Sequence, residues 1–124
     1  MKDITLDTGA LIALERRRQR MREILERALE RDQRITVPAD VVGEWWRGRT
    51  DVREAILESV DIEPLTAELA KVAGEALAFI RGATLVDAIV MASAALRGDI
   101  VYTCDVDDLE RLQRHFPGVR VLRV

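Results

Sequence analysis

The sequence predicts an α/β fold, a three-layer α/β/α arrangement on a central parallel sheet of about five strands. Short apolar, β-branched runs at 4–6, 34–37, 60–65, 100–103 and 119–124 alternate with stretches whose apolar residues recur at helical spacing. That β-α-β alternation is the pattern of a parallel sheet with helices on both faces. The length of 124 residues fits one domain, 1–124, large enough to bury a core without disulfides or structural metals.

The first strand is Ile4 to Leu6, followed at once by Asp7, and Leu11, Ile12 and Leu14 open a helix. Arg16, Arg17, Arg18, Arg20 and Arg22 form a basic run, and Met21, Ile24, Leu25, Ala28 and Leu29 continue at helical spacing. The two pieces read as a helical hairpin or one bent helix. Arg34 to Val37 is the second strand, closed by Pro38, which suits a first helical position. Ala39 to Trp46 forms a short helix with Val41, Val42, Trp45 and Trp46 on its apolar side and Glu44 at the margin. A helix over 51–59 leads into a third strand over 60–65 that contains Pro64. Thr66 then caps a long amphipathic helix to Ile80. The run Leu85 to Leu96 is apolar nearly all round apart from Asp87 and Ser93, more than one sheet face can cover, so it is either buried, or half buried and half used by a partner. Gly98 ends that helix. A fourth strand, Ile100 to Thr103, a helix over 105–116 and a last strand over 119–124 complete the chain.

Composition narrows the function classes. Cys104 is the only cysteine, which excludes an internal disulfide and points to a reducing compartment, the cytoplasm. No apolar run reaches the length of a membrane span, and no secretory leader is visible. Apart from Lys2 and Lys71 every basic residue is arginine, within a net charge of −3. With one histidine, His115, read as a surface residue, the chain lacks a Ser-His-Asp set, and Cys104 reads as a small buried filler.

Four acidic residues stand out as a set. Asp7 and Asp105 each follow a strand directly, and the first and fourth strands can be neighbours where strand order reverses, so both carboxylates would face one crevice. Singly, each acid has a structural role. Asp7 suits a helix N-cap, Asp87 completes a Thr84-x-x-Asp87 capping pattern, and Asp105 and Asp108 suit a helix N-terminus. Glu44 starts no helix and borders an apolar side, where it needs a hydrogen-bond partner or a cation such as Arg47 or Arg49. Two carboxylates ~5 Å apart repel by about 3 kcal/mol at an effective dielectric of 20. A cluster of four therefore requires protonation or divalent cations, and oxygen-only ligands favour magnesium or manganese over zinc.

The chain resembles the PIN-domain nucleases, and among them the VapC toxins of type II toxin–antitoxin pairs. The matching stretches are Leu6-Asp7-Thr8-Gly9-Ala10-Leu11-Ile12-Ala13-Leu14, Val42-Gly43-Glu44, Leu85-Val86-Asp87-Ala88-Ile89-Val90 and Val101-Tyr102-Thr103-Cys104-Asp105-Val106-Asp107-Asp108-Leu109, in that order. The resemblance implies that Asp7, Glu44, Asp87 and Asp105 are catalytic and hold one or two Mg²⁺ or Mn²⁺ ions, with Asp108 and Thr103 in support. It implies cleavage of structured RNA, such as transfer or ribosomal RNA, neutralisation by a cognate VapB-type antitoxin, and a homodimer. An acidic pocket repels an RNA backbone, so arginines must compensate. Among Arg16, Arg17, Arg18, Arg47, Arg49 and Arg81, most of which read as solvated helix faces, Arg16, Arg47 and Arg49 are put forward. Trp45 or Trp46 could stack on an unpaired base, with at least one of them in the core.

The alternative is a catalytically silent PIN scaffold that acts by binding RNA or protein, against which the intact acidic set argues. A phosphoryl-accepting receiver domain would need an aspartate after the third strand and a late lysine, where the chain has Glu63-Pro64-Leu65 and no lysine beyond Lys71. An aspartate-nucleophile phosphatase would need a second aspartate where Gly9 stands.

Overall fold

The chain alternates as expected, with helices doubled in most crossovers. In the computed structural model, which describes residues 1–124, the elements are β1 (Ile4–Leu6), α1 (Thr8–Glu15), α2 (Gln19–Glu30), β2 (Ile35–Pro38), α3 (Ala39–Trp45), α4 (Asp51–Glu58), β3 (Asp61–Glu63), α5 (Ala67–Phe79), α6 (Leu85–Arg97), β4 (Ile100–Thr103), α7 (Val106–Gln113) and β5 (Arg120–Arg123). All five strands are parallel, in the order β3-β2-β1-β4-β5. Strand order reverses at β1, which pairs with β2 on one side and with β4 on the other, in the register Ile4↔Ile100 to Leu6↔Tyr102.

The period of two along β1 separates the faces. Ile4 and Leu6 meet Met21, Ile24, Leu25 and Ala28 of α2 on one side. Thr5 points the other way, where its hydroxyl donates to Asp99 at 2.8 Å and accepts from Arg97 at 2.8 Å. α6 lies across β1, β2 and β4 on that face, with α5 packed outside it and α7 alongside. These contacts make the three-layer α/β/α fold that the sequence predicts.

α1 and α2 are separate helices, the hairpin alternative of the sequence reading, joined through Arg16–Arg18 with Arg17 in the left-handed region at φ +56°. Other details differ from that reading. Pro38 does not start a helix. It ends β2, paired with Glu63 at ψ 143°, and the helix begins one residue later. β3 stops at Glu63, so Pro64 lies beyond the edge strand and disturbs no ladder. α6 is buried continuously from Ala88 to Ala94, because Leu69, Ala73 and Ala76 of α5 supply the second cover that the sheet lacks. Leu85 at one end and Ala95 and Leu96 at the other are exposed, so of the two readings of α6 the buried one holds, without a partner face along its middle.

A polar network lies beneath α6. Arg97 pairs with Asp99 at 2.9 Å and with Glu63, and Ser93 donates to Glu63 at 2.6 Å. With Asp99 only 2% exposed, this is a largely buried charge system, held by hydrogen bonds that satisfy each member. No helix in the chain is long and apolar enough to cross a membrane.

Candidate active site

The site grows from the register of β1 and β4. Leu6 lies opposite Tyr102, which sets Asp7 beside Thr103 at the carboxyl ends of the two central strands. Asp7 caps α1, its Oδ1 accepting from the Ala10 N–H at 2.9 Å. Its Oδ2 accepts from the Thr103 hydroxyl at 2.5 Å, and the same Thr103 oxygen accepts from the Asp105 N–H at 2.9 Å. One threonine therefore aligns both strand-end aspartates. Gly9 suits the same close crossing. A Cβ there would meet the Cys104 Cβ at 3.1 Å and its backbone nitrogen at 3.3 Å. Cys104 is exposed at this seam, its thiol donating to the Gly9 carbonyl at 3.2 Å, which corrects its reading as a buried filler. The turn after β4 faces outward because the chain leaves the sheet there.

Asp7 is 8% exposed. Burial pushes its carboxyl pKa from 3.8 up to about 6; the Thr103 and Ala10 hydrogen bonds oppose this, and the charges of Asp87 and Asp105 add to it. Asp87 lies in the first turn of α6, its N–H donating to the capping Thr84 hydroxyl at 3.1 Å. Its carboxyl is also raised, first by burial and then, against the Thr84 bond, by Asp108, Glu44 and Asp105. Asp108 is raised chiefly by its hydrogen bond with Asp105 and by that residue's charge. Asp105 occupies the N-cap position of α7 but makes no capping bond, so its exposed carboxylate is left to the crevice.

Glu44 completes the group from α3. It is exposed, not buried, and accepts from the Thr8 hydroxyl at 2.6 Å, so neither Arg47 nor Arg49 serves as its partner. None of Asp7, Glu44, Asp87 and Asp105 pairs with an arginine or lysine. The fold thus gathers four acids from four elements into mutual repulsion without a protein cation to offset it. The donors are all oxygens, which fits a hard divalent ion. As placed, no three acidic, histidine or cysteine side chains close around a common point. Glu44 and Asp105 are the exposed members of the set.

The predicted arginines separate. Arg16 and Arg47 line a cleft of about 520 Å³ with Glu44, Glu15, Trp45 and Arg53. Arg49 instead pairs with Asp51 at 3.2 Å, both of them exposed. Trp45 is buried and its indole N–H donates to Glu15 at 2.9 Å, while Trp46 is half-buried and meets it edge-on. His115 is half-buried, stacked on the exposed Phe79 at 5.6 Å.

Two features escaped the sequence reading. Asp40 lies one helical turn before Glu44, its two carboxylate oxygens buried without partners and its carboxyl raised by burial and then by Glu44 and Glu63. The four-residue spacing of Asp40 and Glu44 was the available signal. Glu15 was the other. It ties α1 to α3 and α4 through Trp45 and through Arg53 at 2.9 Å.

Comparison with known proteins agrees with this architecture. The PIN domain family model matches residues 4–114. Among solved structures, DNA-bound VapBC from Salmonella typhimurium superposes with a TM-score of 0.75 at 18% identity, over 99% of this chain and 98% of that one. VapBC2 from Rickettsia felis, bound to a promoter DNA fragment, gives 0.78 at 13% identity over 98% of each chain. A toxin–antitoxin complex from Klebsiella pneumoniae gives 0.72 at 20% identity, over 97% and 96%. No curated protein sequence matches the chain.

Proposed function

Because the chain belongs to the PIN-domain family, we propose that it is a metal-dependent endoribonuclease, a VapC-type toxin that cleaves structured RNA in the cytoplasm and is neutralised by a cognate antitoxin. The observation that carries this reading is Asp7, a buried carboxylate held by Thr103 and Ala10, beside Asp87 and Asp105, with no protein cation among them. A silent binding scaffold has no use for the charge itself, since asparagine would cap α1 as well without the cost of a buried carboxylate.

Asp7, Glu44, Asp87 and Asp105 are the residues that would hold Mg²⁺ or Mn²⁺. When bound, the ion supplies a Lewis acid for the phosphate and lowers the pKa of a water. The chain's own contribution is positioning. Thr103 orients Asp7 and fixes the backbone of Asp105, Thr8 orients Glu44, and Asp108 stands against Asp105 as a further acid. The crevice end of the sheet leaves Asp105 and Glu44 open to a substrate as large as RNA.

The toxin–antitoxin reading is supported by the complexes whose chains share this fold over nearly their whole length. It is also supported by an open groove of about 300 Å³, where Leu14, Leu25, Val52, Ala55 and Ile56 are flanked by Arg17 and Arg22. We take this groove as the antitoxin's docking surface and a homodimer as the resting assembly. Pulsed expression followed by sequencing of RNA 5′ ends tests the activity. Discrete new ends with the wild type and none with Asp7→Asn are expected. Ends that persist in Asp7→Asn would sink the reading.

A further inference from the structure

Four acids facing one crevice repel the polyanion they are proposed to cut, so RNA affinity must come from cations fixed at the rim of that crevice. The chain is rich in unpaired arginines, and being unpaired selects none of them. Position does. Register places Arg123, the last residue of β5, beside Thr103, the residue that holds Asp7. Arg123 therefore stands at the same end of the sheet as Asp7 and Asp105. Its guanidinium donates from Nη1 to the Cys104 carbonyl at 3.2 Å, one residue before Asp105. Its own carbonyl is gripped twice by Arg20, from Nε at 3.2 Å and from Nη2 at 3.1 Å.

The α1–α2 junction reaches the same end of the sheet, since Arg20 just beyond it holds the Arg123 carbonyl. Arg16 lines the cleft that contains Glu44. Arg18 is the N-cap residue of α2, two positions before the Arg20 that holds the Arg123 carbonyl, which ties it to the same end of the sheet. Arg16, Arg18 and Arg123 are all exposed and none has a carboxylate within 4.0 Å. Arg34, Arg53 and Arg97, in contrast, are committed to ion pairs with Asp61, Glu15 and Glu63.

We propose that Arg16, Arg18 and Arg123 form a phosphate-gripping rim, buttressed by Arg20, that seats the RNA backbone over the β4–β5 edge and presents the next phosphate to the acids. The rim rests on the ribonuclease reading and names the positioning residues of that same site. Guanidinium forks suit it, since they bind phosphate oxygens bidentately and keep their charge at any working pH. The carbonyl contact at Cys104 orients Arg123 without neutralising it.

The test uses the full chain in two arms. In the first, Asp7→Asn binds a short labelled single-stranded RNA in EDTA, followed by anisotropy across a salt series. Adding Arg18→Gln or Arg123→Gln should weaken binding about fivefold each and lower the slope of log affinity on log salt by about 0.7 per lost contact. Arg123→Lys should recover part of the affinity. Arg31→Gln, an equal loss of charge on the far end of α2, should change neither. In the second arm, the arginine variants on the wild-type background cleave transfer RNA, and KM should rise while kcat at saturation holds. A circular dichroism melt of each variant confirms the fold. Affinity, salt slope and KM unchanged in Arg18→Gln and Arg123→Gln would overturn the rim. So would variants that keep RNA affinity but lose the co-expressed antitoxin, since the patch would then serve a protein. A wild type that cleaves nothing refutes the nuclease reading instead, and the binding arm alone then decides the rim.

Discussion

At the scale of single residues, Asp7 carries the strongest consequence. Its carboxyl titrates near 6 in the folded chain against 3.8 for an ordinary aspartate. The folded state therefore binds more protons than the unfolded state between those values, and stability falls as pH rises through that window. A shift of this size corresponds to a cost of about 3 kcal/mol, fully present above pH ~6 and absent below ~4. Asp7→Asn keeps an acceptor for the Ala10 N–H and removes the charge. Without divalent ions the variant should be more stable than wild type at pH 8 and equal to it near pH 4, while cleaving no RNA. Urea unfolding at both pH values checks this, and a variant less stable at pH 8 would contradict the buried-charge account. Thr103→Val removes the hydroxyl that serves Asp7 and the Asp105 N–H together. It should cost about 1–3 kcal/mol in the same assay and depress cleavage through both aspartates.

At the scale of elements, α6 shows what sequence patterning reaches and where it stops. Its start, its Thr84 cap, its Gly98 stop and the placement of Asp87 were all readable, because caps and breakers act locally. Its apolar circumference left burial and a partner face both open, because helical periodicity reports how much is apolar and not what covers it. The cover is α5, a second helix layer that no local signal announces. The Arg97 network was invisible for a related reason, since a charged residue in a last helical turn ordinarily reads as solvated. Here Arg97 reaches inward to Asp99 and Glu63. Arg97→Met would leave those carboxylates without their cation, and unfolding free energy should fall by about 3–5 kcal/mol, measured from the denaturant midpoint. The strand-end acids were legible because a β-run followed by aspartate marks a crevice in any parallel sheet. The orphaned Asp40 was not, since its burial depends on its neighbours in space.

At the scale of the whole molecule, the acid cluster links ligand binding to stability. Divalent ions that bind only the folded chain add stability by mass action. The melting temperature should rise with millimolar Mg²⁺ or Mn²⁺ and return on adding EDTA, and Asp7→Asn should lose most of that response. An unchanged wild-type melt would count against a shared ion site. Assembly is the second test at this scale. Light scattering should give a dimer mass, and co-expression with the neighbouring small open reading frame should yield a complex that no longer cleaves RNA. A monomer that fails to co-purify would defeat both expectations.

The pairing of β1 with β4 also has a temporal meaning. The hydrogen bond that aligns Asp7 joins residues 96 positions apart. A ribosome emits the chain from its N-terminus at roughly 5–20 residues per second. Asp7 and Glu44 are thus made early, yet Asp7 acquires the Thr103 bond, and the company of Asp105, only when the β4 segment has cleared the tunnel. Parallel pairings across such long separations also form slowly. Every nascent chain that stops short of β4 carries half an acid cluster on an unfinished sheet. On the proposed function, cleavage would be withheld until the β4 segment has emerged and paired with β1.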